Sequence, residues 1–156
     1  MIDSRTRIGI VLSVIQLVTY AEVRVDSVTI GAIQKGIMAL VGIEKTDTIK
    51  AAEKLFNKIV NYRIFPDHHG KMNLSLKDIQ GGLLLVPQFT LVAETAKGTR
   101  PGFSTGMPPQ EGKQLFEYLV EHAKKQHDVS IASGRFGAYM QVSLCNDGPV
   151  TFMLKV

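Results

Sequence analysis

Residues 81–92 read GGLLLVPQFTLV. Two glycines lead into Leu83, Leu84, Leu85 and Val86, the most apolar run of the chain, and Pro87 follows at once. A strand with apolar side chains at successive positions is buried on both faces, as in a sheet that other layers cover. Proline has no N–H to give to a neighbouring strand, so a central strand that reaches one ends or bends there. The polar residues Gln88 and Thr90 then stand directly beyond the buried strand.

The flanking sequence supplies the rest of such a sheet. Val14, Ile15, Leu17 and Val18 predict a short buried strand, and Ala21, Val23 and Val25 alternate with Glu22 and Arg24 as in a strand with one wet face. Asp26-Ser27 is a turn, residues 28–33 return as the partner strand, and residues 37–43 form a central one. Thr46, Asp47 and Thr48 offer N-cap oxygens to a first helix. In it Ile49, Ala52, Leu55, Phe56, Ile59 and Val60 fall on one face and Lys50, Lys54 and Lys58 on the other. Residues 62–65 suggest a short strand and residues 66–70 a turn. Residues 93–109 form a long loop holding three glycines and three prolines, and a loop of that length in a compact domain is usually functional. A second helix runs from about 108 to 126, with Leu115, Phe116, Leu119, Val120 and Ala123 inward. Strands at 138–145 and 150–156 close the chain around Asn146-Asp147-Gly148-Pro149. Strands and helices mixed in this order give an α/β (α+β) fold with two main helices.

The chain has 156 residues, 45% hydrophobic and 21% charged, which suits one globular domain and excludes disorder as its main state. Arg5 and Arg7 precede an apolar stretch over residues 8–18, imitating a signal peptide. Ser13 and Gln16 interrupt that stretch, and it is shorter than the roughly 20 residues that span a bilayer. Residues 1–11 are therefore read as a leader of uncertain structure before a single domain over 12–156, with no membrane association. The one cysteine, Cys145, excludes an internal disulfide or a multi-cysteine zinc site and fits a reducing, cytoplasmic location. The net charge of +4 permits a polyanionic partner such as RNA without requiring one.

Side chains suited to acid–base chemistry are few. His68 and His69 adjoin Asp67 in a turn but lack metal-ligand spacing, so no metal is expected. His122 and His127 are five apart near the end of a helix and share no face. Cys145 reads as a buried, inert thiol. Gly134-Arg135-Phe136-Gly137 precedes no helix and so does not make a phosphate loop. No cofactor motif occurs. Two segments stand out, 85–91 (LVPQFTL) and 146–151 (NDGPVT), because each places polar, backbone-distorting residues between buried strands. Taken singly, each is as well explained by a β-bulge or an ordinary hairpin turn as by a functional role.

The pair resembles the SQFT and NxGPVT signatures of the D-aminoacyl-tRNA deacylases. The resemblance extends over residues 12–156 through Gln16, Tyr62-Arg63-Ile64-Phe65, Gly70-Lys71-Met72-Asn73, Arg100-Pro101-Gly102-Phe103-Ser104, Gly134-Arg135-Phe136-Gly137-Ala138 and Met140-Gln141-Val142. It implies a bent mixed sheet, a partial barrel, carrying the two helices. It implies a homodimeric hydrolase with its site at the subunit interface, cutting the ester between a D-amino acid, or glycine, and the terminal adenosine of tRNA without a cofactor. By resemblance, Gln88, Phe89 and Thr90 form the catalytic segment, with the Phe89 N–H a donor to the oxyanion. Gly148 and Pro149 of the other subunit, joined by a cis bond in the family, exclude L-side chains, and Pro87 borders the same pocket.

Two positions depart from the family pattern. Pro87 stands where the motif has Ser, and Leu17 where the family usually has an Arg associated with the cis Gly-Pro geometry. A chirality-relaxed animal paralogue shares that proline. The departures predict weaker rejection of small L-residues and leave the Gly148-Pro149 isomer open. The alternatives are then a chirality-relaxed deacylase of L-alanyl-tRNA and a non-catalytic tRNA-binding module of the same fold.

Overall fold

The computed structural model describes residues 11–128 and 130–156. In chain order the elements are β1 (Leu12–Val25), β2 (Val28–Ile33), β3 (Gly36–Gly42), α1 (Ile49–Asn61), β4 (Phe65–Pro66), β5 (Met72–Leu74), α2 (Leu76–Ile79), β6 (Gly82–Pro87), a 3-10 turn (Phe89–Val92), α3 (Pro109–Gln126), β7 (Ile131–Ser133) and β8 (Gln141–Lys155). The expected leader lies outside the described residues except for Val11, which is buried and accepts the Val156 N–H at 3.2 Å.

The sheet is mixed and nearly a barrel. One edge of β1 pairs antiparallel with β3 and then with β2, and its other edge pairs with β8 along nearly its whole length. β3, β6 and β7 continue in parallel. The two ends of the path approach each other: a Cβ on Gly31 of β2 would stand 2.8 Å from the Ser133 carbonyl oxygen of β7.

The apolar run of β6 shows why the sheet curls. Leu83 and Leu85 face the core shared with α1 and α3, where Leu55, Ile59, Phe116 and Leu119 are buried. Leu84 and Val86 face the opposite way, into a second cluster with Val18, Val23 and Met38. Alternate side chains thus leave water on both sides, helices covering one face and the sheet itself the other. Full burial stabilises by roughly 1.5–3 kcal/mol for each large aliphatic side chain. Thr48 caps α1, its Oγ1 accepting the Ala51 N–H at 3.2 Å, and Pro108 precedes the first turn of α3.

Several elements differ from the sequence reading. β1 does not break at Thr19-Tyr20, because β8 pairs with it across that point. The strand expected at 62–65 is shorter and later; its partner β5 has too few residues to show periodicity. The two closing strands are one. β8 does not reverse at Asn146–Pro149, since its two halves pair in sequence with β1. No helix among the described residues is long and apolar enough to cross a membrane.

Candidate active site

Pro87 ends β6 without loss to the ladder. Gln88 donates its N–H to the Val41 carbonyl of β3 at 2.8 Å, so the peptide nitrogen one residue earlier faces the other way. That side is where β7, which pairs only with Leu83 to Leu85, has already ended. The chain then tightens into the 3-10 turn, whose first N–H groups lack partners within the turn. Among the described residues no acceptor is found for the Phe89 N–H. Gln88 Nε2 donates to Thr90 Oγ1, which ties the two motif side chains together.

This segment forms one wall of a cavity of about 640 Å³. Val86, Pro87, Gln88 and Phe89 line it, with Phe103 and Met107 from the long loop and Phe136 and Met140 from the segment between β7 and β8. The volume is in the range that holds a small molecule. Among the described residues, Tyr139 is the only ionisable one in its lining. Phe89 is 65% exposed and Phe103 49%, with ring centroids 5.3 Å apart, so two aromatic faces remain open at the mouth. Gly134 lets the walls meet: a Cβ there would lie 2.7 Å from Met140 Sδ and 3.2 Å from Pro87 Cδ. Phe136 and Gly137 of the same segment line the cavity.

Thr90 is exposed and does not line the cavity, and neither do Gly148 and Pro149. These two sit in a bulge of β8. Gln16 pairs with Thr151 and Val18 with Asn146, so residues 147–150 all stand opposite Leu17 alone. Asn146 fastens the bulge. Its Oδ1 accepts the Val150 N–H and its Nδ2 donates to Thr151 Oγ1, both at 2.9 Å. Gln16 Nε2 reaches the same hydroxyl at 3.3 Å. The Gly148-Pro149 bond, left open by the sequence, is cis. Leu17, beneath the bulge, is buried among the apolar core.

Other expectations are corrected. Cys145 is exposed, because its position in β8 faces away from the core. The His127 ring is buried, and Nε2 donates to the Gly81 carbonyl oxygen at 2.9 Å. His68 and His69 are exposed, and the Asp67 carboxylate organises their turn by accepting the His69 and Lys71 N–H groups. Those bonds hold the Asp67 carboxyl below its ordinary value. Among the described residues no cluster of three metal-binding side chains occurs. Sequence reasoning gave no role to Asn146 and Thr151 as fasteners, because their short-range bonds form only in the bulge that β1 imposes, nor to Phe103, Phe136 and Met140 as walls, because the segments they meet are distant in the chain.

Known proteins resemble this chain over most of its length. The family model described as D-Tyr-tRNA(Tyr) deacylase matches residues 14–155. Proteins called D-aminoacyl-tRNA deacylase from Pseudomonas entomophila and Pseudomonas putida are 58% and 56% identical over 142 residues, covering 91% of this chain and 97% of theirs. Among solved structures, the c-Myc DNA Unwinding Element Binding Protein superposes with a TM-score of 0.87 at 41% identity, over 92% of this chain and 97% of that one. A probable eukaryotic D-amino acid tRNA deacylase shares the fold, with a TM-score of 0.82 at 16% identity over 94% of this chain and 100% of the other. The chain belongs to the D-Tyr-tRNA(Tyr) deacylase family.

Proposed function

We propose that this chain hydrolyses the ester between a D-amino acid, or glycine, and the 3′-terminal adenosine of tRNA, acting as a homodimer. The observation that carries the reading is the apolar cavity beside the Phe89 N–H, which is free of any protein acceptor among the described residues. Water adds to the acyl carbon, the developing oxyanion takes the Phe89 N–H, and the bond to the 3′-oxygen breaks as that oxygen gains a proton. A fixed N–H in a site poor in water stabilises such charge strongly. Among the described residues the lining offers no carboxylate or imidazole as a base; the family resemblance implies that the substrate's own 2′-hydroxyl activates the water. Gln88 and Thr90 orient the segment through their mutual hydrogen bond.

The dimer supplies what one chain lacks. Gly148 and Pro149 lie outside the cavity of their own chain and are exposed. Met153, four residues beyond Pro149 on β8, is also uncovered, at 59%. A second copy seated there buries it and brings its Gly148 and Pro149 to the mouth of the first cavity, where a side chain of L configuration would collide. The test is side-by-side deacylation of D- and L-aminoacyl-tRNA. Faster turnover of the D-ester than of the L-alanyl ester is expected. Equal turnover of both overturns the D-specific reading, and turnover of neither overturns the hydrolase.

A further inference from the structure

Helix α1 carries a one-signed charge row that the cavity does not use. Lys50, Lys54 and Lys58 follow one another at i, i+4 on its exposed side, about 6 Å apart along the axis by helix geometry. Among the described residues none of the three is in an ion pair. α3 is built differently: Lys113 lies 3.9 Å from Glu117, and Lys124 lies 3.5 Å from Glu121. The only acid of α1, Glu53, is turned to α3, where Tyr118 Oη donates to it at 2.6 Å. Lys58 Nζ donates to the Lys155 carbonyl at 3.5 Å, so a fourth basic residue adjoins the far end of the row. No acid stands in the first turn of α1, and Lys50 stands there instead, against the helix dipole. Folding does not explain that arrangement.

The row starts at the cavity. Met107, a lining residue, donates its N–H to the Ile43 carbonyl at 3.1 Å, and the Lys45 N–H donates to the Thr105 carbonyl at 3.1 Å. Lys45 is exposed, and α1 begins four residues later. From Lys50 to Lys58 the row leads away from the rim by about 12 Å, eight residues at the helical rise. An anionic membrane does not fit this surface, because the apolar face of α1 is already buried against the sheet and α3. A rod of regularly spaced phosphates whose end enters the cavity does fit.

We infer that Lys45, Lys50, Lys54 and Lys58 form a track for successive backbone phosphates of an RNA duplex, the acceptor arm of a tRNA whose 3′ end occupies the cavity. The inference rests on the deacylase reading above and extends it to the macromolecular part of the substrate. Each lysine that neutralises a phosphate releases counterions and adds about 0.7–0.9 to the slope of log affinity against log salt.

The test compares the unmodified chain with two variants of equal charge loss, Lys50→Gln/Lys54→Gln/Lys58→Gln and, on α3, Lys113→Gln/Lys124→Gln/Lys125→Gln. Each is assayed on D-aminoacyl-tRNA across a salt series and on D-aminoacyl-adenosine, which has no phosphate track. The α1 variant is expected to lose about two to three units of salt slope and at least about tenfold in affinity for tRNA. Its rate on D-aminoacyl-adenosine, and both activities of the α3 variant, should match the unmodified chain. An unchanged slope in the α1 variant, or the same loss in both variants, overturns the track and leaves the deacylase reading standing. If the unmodified chain hydrolyses neither substrate, the deacylase reading fails and the track falls with it.

Discussion

Asn146 and Thr151 close the two ends of a bulge in β8. The Asn146 carboxamide donates to the Thr151 hydroxyl at 2.9 Å while its oxygen accepts the Val150 N–H at the same distance. One side chain therefore fixes the position of Gly148 and Pro149 relative to β1. Asn146→Ala removes both bonds, and each such bond contributes about 0.5–1.5 kcal/mol net. Thermal unfolding should show a loss of about 1–3 kcal/mol on that basis. Selectivity should suffer more than folding: the ratio of D- to L-ester hydrolysis should fall at least about tenfold, since a mobile wall rejects poorly. An unchanged ratio would remove the fastening role from Asn146.

The cavity wall sets a second prediction. Gly134→Ala places a methyl group 2.7 Å from Met140 Sδ and 3.2 Å from the Pro87 ring. The methyl group must displace Met140 or press on the stiff Pro87 ring, and both residues line the cavity. The variant should fold and lose about tenfold in kcat/KM, or ~1.4 kcal/mol at the transition state. Steady-state kinetics with a parallel melting curve separate this from general destabilisation.

The third concerns the absence of a side-chain base. His68→Ala, His69→Ala, His122→Ala and Cys145→Ala should each leave the deacylation rate within about tenfold, whereas a true general acid or base contributes a hundredfold or more. A tRNA ending in 2′-deoxyadenosine should not be turned over. His127→Ala is set apart, because it leaves the buried Gly81 carbonyl without its donor. That loss should cost about 1–3 kcal/mol of stability. A hundredfold drop in rate at any of the first four would refute substrate-assisted hydrolysis.

Asp47 gives a pH signature. Burial raises its carboxyl from 3.8 to about 6, although the Glu44 N–H, donating to Oδ2 at 2.6 Å, acts in the opposite direction. Between those two values the folded state binds more protons than the unfolded state. Asp47 therefore favours the fold at low pH, and that contribution is lost as pH rises through about 6. Asp47→Asn keeps an acceptor for the Glu44 N–H and carries no charge. In urea titrations the stability of this variant relative to the unmodified chain should rise between pH 4 and 7. A difference flat across that interval would contradict the assignment.

What the sequence by itself determined is what local pattern can carry. The 3.6-residue period places both main helices, and Thr48 and Pro108 mark where they begin. The period-two stretch of β1, the turn at Asp26-Ser27 and the run into Pro87 place most of the central sheet. The two motifs stand out because their residue types conflict with the strands around them, and it is the family resemblance that assigns roles to Gln88, Phe89, Thr90, Gly148 and Pro149.

Only the tertiary structure decided how those pieces relate. Asn146-Asp147-Gly148-Pro149 has the composition of a turn, yet the long partner β1 holds both flanks in one strand and makes it a bulge. Cys145, expected to be buried, is exposed, while His127 is buried against Gly81, since exposure depends on which face packs and not on residue type. The cavity draws its walls from Pro87, Phe103, Phe136 and Met140, spread over more than fifty residues of chain. Local sequence carries no record of such contacts, because they come from the parallel order of β3, β6 and β7 and from the curl that brings β7 back to β2.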